Sequence, residues 1–211
     1  IIMTTITKED LLKNCQTGDI LLYNSKTIMG RIIEYATGSL YSHVSMILRD
    51  PTYIDPKLKG LYIIESGEED IPDSWTGKKV TGVQIIPLEH AIDYYKNSLI
   101  GGIYYRKMST DRNAEFVNKL KTIIQKTEGV KYDLCVYDWF RALFDIEIGN
   151  RQLTNKFWCS ALLTYIYVEL GLLDKTLEWS MISPRQFSYY ENKILSYKKC
   201  VVQPEKQIIH I

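Results

Sequence analysis

The stretch FWCSALL, at residues 157–163, places a cysteine at the start of a strongly apolar run. The pattern predicts a helix over 157–170 that stops at Gly171, a residue type that commonly ends helices. Unpaired N–H groups and the dipole at a helix start favour a negative sulfur, and the same donors can stabilise an oxyanion. Cys159 is therefore a candidate nucleophile.

The other cysteines lack this setting. Cys15, Cys135 and Cys200 are widely separated, and no CxxC pair occurs, so neither a zinc knuckle nor a disulfide scaffold is indicated. A small buried hydrophobe is the ordinary role of a cysteine, and we expect that role for these three. It stays the alternative for Cys159, and a reducing compartment is expected.

One of the three histidines lies in a predicted core strand. Over 42–48, Val44, Met46 and Leu48 alternate with the other side chains, which puts His43 on the opposite face. His90 starts a surface-like helix, and His210 is next to the C-terminal residue. His43 is thus the candidate base, with a structural histidine as the alternative.

A carboxylate at the end of a second strand supplies a third group. Glu65 closes the predicted strand 61–65 and, if this strand pairs with 42–48, can reach His43 on the same sheet face. Such an acceptor would set the tautomer of the imidazole and stabilise its charged form. The alternative for Glu65 is a solvated strand end.

The rest of the chain changes from strands to helices. Strands are predicted at 18–23, 80–87 and 99–107, and helices at 27–37, 88–95, 111–128 and 134–144. We find no internal repeat and no low-complexity linker. The pattern predicts one α+β domain over 1–211, with an antiparallel sheet or small barrel packed against helices.

Charge and hydropathy limit the kinds of binding partner that we expect. Lys and Arg total 26 against 25 Asp and Glu, so the formal net charge of +1 creates no broad electrostatic field that would attract nucleic acid. The apolar stretch 161–173 is too short to span a bilayer, and no signal peptide is recognisable, although peripheral membrane contact stays open. The acidic run 68–70 is interpreted as a solvated loop, with attraction of a basic ligand as the alternative.

Six short motifs occur in the order found in one superfamily. They are TGDILLY (17–23), YSHVS (41–45), IIESG (63–67), GVKYD (129–133), FWCSA (157–161) and SPRQF (183–187). Together they resemble the NlpC-type branch of papain-like proteins in its circularly permuted form, where the histidine strand precedes the cysteine helix. Within it, the chain is most similar to YiiX-like bacterial proteins and their poxvirus relatives, of the same permuted group as lecithin:retinol acyltransferase.

This resemblance implies a triad of Cys159, His43 and Glu65 and disfavours a metal site, and we expect no cofactor. It also implies that 129–133 forms a turn beside the active site and that Ser183 and Pro184 begin a late helical turn. Substrates of the group are peptides, muropeptides or lipid acyl groups. Abundant Ile, Lys, Asn and Tyr suggest an AT-rich gene, which with the poxvirus likeness points to a large DNA virus as the source. The expected location is the cytoplasm or the virion.

The sequence therefore predicts a cysteine-dependent hydrolase or acyltransferase that cleaves an amide or ester bond through a thioester. Two alternatives from other classes stay open. The first is a catalytically silent binding or structural protein of a virus particle, whose cleft holds a lipid or peptide. The second is a metal site built from Cys159, His43 and Glu65. Oligomeric state is not indicated.

Overall fold

A long sheet organises the protein. The computed structural model describes residues 3–25, 39–68, 71–98, 100–132, 156–157, 159–191 and 195–209. Within them the strands are β1 (Thr5–Thr7), β2 (Ile20–Ser25), β3 (His43–Arg49), β4 (Leu61–Glu68), β5 (Thr81–Pro87), β6 (Ile100–Arg106), β7 (Met108–Ser109), β8 (Lys131–Tyr132), β9 (Lys156–Phe157), β10 (Val201–Val202) and β11 (Lys206–Ile209).

The sheet is mostly antiparallel. Among the described residues its strand order is β1-β11-β6-β2-β3-β4-β5-β8-β9, while β7 and β10 form a separate two-stranded pair. The strands β2, β3, β4 and β5 are consecutive in the sheet, and each pairs antiparallel with the next. Only the outer pairs β1–β11 and β8–β9 are parallel among the described strands.

Four α-helices accompany the sheet in the described part of the chain. They are α1 (Lys8–Asn14), α2 (Leu88–Ser98), α3 (Ala114–Thr127) and α4 (Cys159–Glu169). Asn113 caps α3, because its side chain accepts the N–H of Phe116 at 3.0 Å. After α4 the chain turns at Gly171, whose φ of +75° lies in the left-handed region that glycine adopts without strain.

Each face of the sheet has its own hydrophobic cluster. On the first face, Val44, Met46 and Leu48 share a cluster with buried residues of α3 and α4. On the second face, Tyr23 and Ile47 share a cluster with buried residues of α1 and α2. The sheet between helices is a mixed architecture of the α+β type, and β3 lies near its middle.

The predicted elements can be compared with the structure one by one. All five predicted strands are confirmed, with β4 extending to Glu68, and α2, α3 and α4 lie where helices were predicted. The predicted helix over 157–170 starts too early, because Phe157 belongs to β9 and α4 begins at Cys159. The terminal elements β1, α1, β10 and β11 were not predicted. The predicted helices 27–37 and 134–144 lie outside the described residues.

Candidate active site

His43 and Glu65 meet across two neighbouring strands. β3 and β4 pair antiparallel with Met46 opposite Ile64, so Glu65 lies just beyond this pair, diagonal to His43. Nε2 of His43 lies 2.8 Å from Oε2 of Glu65. The distance confirms the prediction that a carboxylate from the second strand reaches this histidine.

The Glu65 carboxylate is buried and surrounded by donors. The residue is 1% exposed. Gln84 stands directly opposite it on β5 and donates from Nε2 to Oε1 at 3.0 Å. The hydroxyl of Tyr95, on α2, lies 3.0 Å from Oε1 and 3.1 Å from Oε2. A buried carboxylate needs such partners. Together with the His43 ring, they occupy both oxygens of the Glu65 carboxylate.

The thiol of Cys159 completes the arrangement. Cys159 is the first residue of α4 and is 5% exposed. Its sulfur lies beside the His43 imidazole, close enough for its charge and hydrogen-bonding capacity to raise the pKa of that ring. Because Glu65 occupies Nε2 of the imidazole, Nδ1 is the nitrogen left for the sulfur. The structure thus brings the three sequence-predicted side chains into one chain of contacts.

The electrostatics favour a charged imidazole. Burial of His43 disfavours the charged ring, but the Cys159 sulfur and the Glu65 carboxylate outweigh it through charge and hydrogen bonds. The pKa of His43 is therefore raised well above its usual value. A histidine held in this way can accept a proton from a thiol and keep it beside the resulting thiolate.

Aromatic rings enclose the imidazole. Tyr23 stands directly opposite His43 on β2, with ring centroids 5.1 Å apart, and the ring of Tyr95 is 6.1 Å from the imidazole. Tyr23 and Tyr95 pack on each other at 4.8 Å, and the Tyr23 hydroxyl forms a 2.7 Å hydrogen bond with Ser45. These rings hold the imidazole in place and limit its contact with water.

The side chains of Cys159, His43 and Glu65 come together from both sides of the sheet. Cys159 belongs to the hydrophobic cluster of the first face, whereas Tyr95, which holds Glu65, belongs to the cluster of the second face. His43 is the first residue of β3, and at that strand end it contacts both Cys159 and Glu65. A thiol, an imidazole and a carboxylate in series are the chemical groups that acyl transfer through a cysteine uses.

The remaining cysteines and histidines are placed differently. Burial raises the pKa of the Cys15 thiol to about 11, and likewise that of Cys200 to about 11, which leaves little thiolate on either at neutral pH. His90 is exposed on α2. Cys135 and His210 lie outside the described residues.

Sequence reasoning missed the residues that hold Glu65. Gln84 carried a usable signal, since it is a polar residue inside the apolar strand VQII at 83–86. A buried polar side chain in such a strand needs a partner, and the partner is a candidate site residue. Tyr95 carried no comparable signal, because it is one of 16 tyrosines and its role depends on how α2 packs.

The predicted late helical turn is present. A 3₁₀ helix spans Pro184–Phe187, and the side chain of Gln186 accepts the N–H of Ser183 at 2.6 Å. Gly129, at the start of the GVKYD motif, has a φ of +71° and precedes β8. Asp133, the last residue of that motif, lies outside the described residues.

Comparison with known proteins shows a fold shared with a solved structure. No family model matches the chain, and no curated protein matches it. The mixed fold with a mostly antiparallel sheet between helices is shared with a solved structure, described as the metalloprotein yiiX from Escherichia coli O157:H7. The two align with a TM-score of 0.51 and 19% identity, over 92% of this chain and 97% of that chain. At this identity the likeness shows the fold alone.

The described residues do not fit a metal ion. No group of three or more His, Cys, Asp and Glu side chains within them is arranged to hold one. The chemistry of Glu65 agrees, because each carboxylate oxygen already accepts hydrogen bonds, from His43 on Oε2, Gln84 on Oε1 and Tyr95 on both. We therefore derive no chemical step through a metal.

No helix in the described part of the chain has the length and hydropathy needed to cross a membrane.

Proposed function

We propose that this protein is a cysteine-dependent hydrolase or acyltransferase of circularly permuted papain-like type. Cys159 acts as nucleophile, His43 as base and Glu65 as the residue that orients the histidine. The observation that carries the proposal is the series of contacts from the Cys159 sulfur through His43 to Glu65. The position of the histidine strand before the cysteine helix, and the fold shared with yiiX, support it.

The first half of the reaction forms a thioester. The proton of the Cys159 thiol passes to Nδ1 of His43, and the thiolate attacks the carbonyl carbon of an amide or ester. Backbone N–H groups in the first turn of α4 have no partner within the helix and face the developing oxyanion. The tetrahedral intermediate collapses as the charged imidazole returns its proton to the leaving amine or alcohol.

The second half releases the acyl group. Nδ1 of His43 takes a proton from water, or from an acceptor alcohol or amine, which attacks the thioester carbonyl. Sulfur leaves and recovers the proton, so the thiol is regenerated and the balance of atoms closes. Throughout, Glu65 keeps Nε2 protonated and the ring in one orientation, as an orienting carboxylate does in other triads. The substrate is a peptide, a muropeptide or a lipid acyl group.

Alkylation tests the nucleophile and the base. Iodoacetamide should modify Cys159 well below pH 8, as located by peptide mass spectrometry, and His43→Ala should slow this reaction. His90→Ala is the matched control, because His90 is exposed on α2 and should leave the rate unchanged. Equal reactivity of all four cysteines, or no effect of His43→Ala, would refute the proposal.

Acyl transfer itself is tested with activated substrates. A series of p-nitrophenyl esters and p-nitroanilides, with short to long acyl chains, should release chromophore and leave a transient acyl mass on Cys159. Cys159→Ala should abolish both signals. A catalytically silent binding protein would show ligand binding but neither turnover nor a covalent adduct, which separates the two classes of function.

A further inference from the structure

The Glu65 carboxylate is fixed by three donors that approach from different elements. Gln84 on β5 contacts Oε1 and His43 on β3 contacts Oε2. The Tyr95 hydroxyl contacts both oxygens, at 3.0 and 3.1 Å. A hydroxyl shared almost equally between the two oxygens opposes rotation of the carboxylate about its last bond, which would carry Oε2 away from His43.

Tyr95 is well placed to hold this position. The residue is 3% exposed, and its ring packs against Tyr23 at 4.8 Å and Tyr94 at 5.6 Å. Packing of this kind limits movement of the ring, so the hydroxyl lies at a defined point above the carboxylate. A rigid donor is what a positioning role requires.

The Gln84 amide points to the same conclusion. Its Nε2 donates to Glu65, while its Oε1 is buried and has no hydrogen-bond partner among the described residues. Turning the amide would place oxygen against oxygen at Glu65. Unsatisfied buried acceptors are rare in folded proteins, and a fold tolerates them chiefly where a specific contact is needed. Here the orientation that leaves the Gln84 oxygen unsatisfied is the one that lets the amide donate to Glu65.

We propose that Tyr95 is a positioning residue of this site, which together with Gln84 holds the Glu65 carboxylate in the orientation that reaches His43. The inference rests on the proposed function and deepens it, because it assigns a role to α2, which carries none of the three predicted site residues. Tyr95 acts through Glu65 and does not touch the reacting atoms. Its loss weakens the orientation of the imidazole and leaves the nucleophile in place.

The test compares two matched tyrosine variants. Tyr95→Phe removes the hydroxyl and keeps the ring. Tyr105→Phe is the control, because Tyr105 is equally buried and donates to another buried carboxylate, Asp19, at 2.6 Å. Each variant loses one buried hydroxyl-to-carboxylate hydrogen bond, so both should lower the thermal midpoint to a similar extent. Only Tyr95→Phe should alter the reactivity of Cys159.

Two readouts follow the site itself. Tyr95→Phe should slow alkylation of Cys159 by iodoacetamide at pH 6 by about two- to tenfold, the range for one lost hydrogen bond. It should also shift the NMR titration of the His43 imidazole to lower pH. Within the described part of the chain, the titratable groups that face this imidazole are Cys159 from α4, Glu65 from β4, Tyr23 from β2 and Tyr95 from α2. Gln84→Met removes the other donor at similar volume and should act in the same direction.

The outcomes separate the two proposals. If His43→Ala slows alkylation while Tyr95→Phe and Gln84→Met leave both the rate and the titration unchanged, the positioning role is wrong and the proposed function stands. If Tyr95→Phe and Tyr105→Phe change only the thermal midpoint, the hydroxyl is merely structural and the inference is overturned. If His43→Ala has no effect on Cys159, both proposals fail. Should Tyr95→Phe not fold, Gln84→Met decides.

Discussion

Nε2 of His43 lies 2.8 Å from Oε2 of Glu65, although the two residues are 22 positions apart in the chain. Antiparallel pairing of β3 with β4 creates this contact, and Gln84 and Tyr95 maintain it from β5 and α2. Because Nε2 faces the carboxylate, the proposed proton exchange with Cys159 must pass through Nδ1. The orientation of one ring therefore connects the sheet to the helix that carries the thiol.

Replacement of Glu65 by glutamine should impair the site without removing it. The neutral amide keeps the size of the side chain but loses the charge that stabilises the charged imidazole. Alkylation of Cys159 at pH 6 should slow by about tenfold or more. Asp19→Asn is the matched control, since Asp19 is also a fully buried carboxylate that accepts from a tyrosine. An equal slowing in Asp19→Asn would show a general loss of stability.

Stability should depend on pH through His43. Burial opposes the charged ring, but Cys159 and Glu65 raise the pKa of His43 well above its usual value. The charged histidine then stabilises the fold fully below about pH 6.5, its value in an unfolded chain, and this contribution is lost as pH rises through the higher folded-state pKa. The difference in unfolding free energy between wild type and His43→Asn, measured in urea, should therefore shrink from acidic to basic pH. A difference that grows with pH would contradict this sign.

Alkylation should discriminate among the cysteines. Burial raises the pKa of Cys15 and of Cys200 to about 11 each, so about one thiol in ten thousand is ionised at pH 7. Peptide mapping after brief treatment with iodoacetamide should find Cys159 modified first and these two nearly untouched. In urea all of them should react, which confirms that burial causes the protection. Early modification of Cys15 in the folded protein would contradict the predicted protection by burial.

The buried carboxylate of Glu205 should be structural. Glu205 is fully buried, accepts the N–H of Tyr189 at 2.9 Å and lies 3.7 Å from Nε of Arg106. Glu205→Ala leaves the buried arginine without its countercharge and should destabilise the protein by about 3–5 kcal/mol in urea unfolding. Glu169→Ala, at an exposed position on α4, should change stability by about 0.5 kcal/mol or less.

The candidate residues were predictable because each carried a local signal. Cys159 stood before an apolar run, His43 lay on the opposite face of a core strand from its apolar residues, and Glu65 ended the next predicted strand. Their convergence required one further assumption, that the two strands are neighbours, which the pairing of β3 with β4 confirms. That these residues are catalytic stays a prediction, as does the single domain over 1–211.

The central elements and the face on which His43 lies were predictable from local sequence, because hydrophobic periodicity depends only on residues a few positions apart. The remaining contacts depend on the tertiary structure. The parallel pairing of β1 with β11 joins the two ends of the chain, and short polar strands of this kind show no alternation that announces a partner. Likewise, Gln84 and Tyr95 reach Glu65 only through the register of β5 and the packing of α2. Such contacts depend on the arrangement of the whole sheet, which no local pattern records.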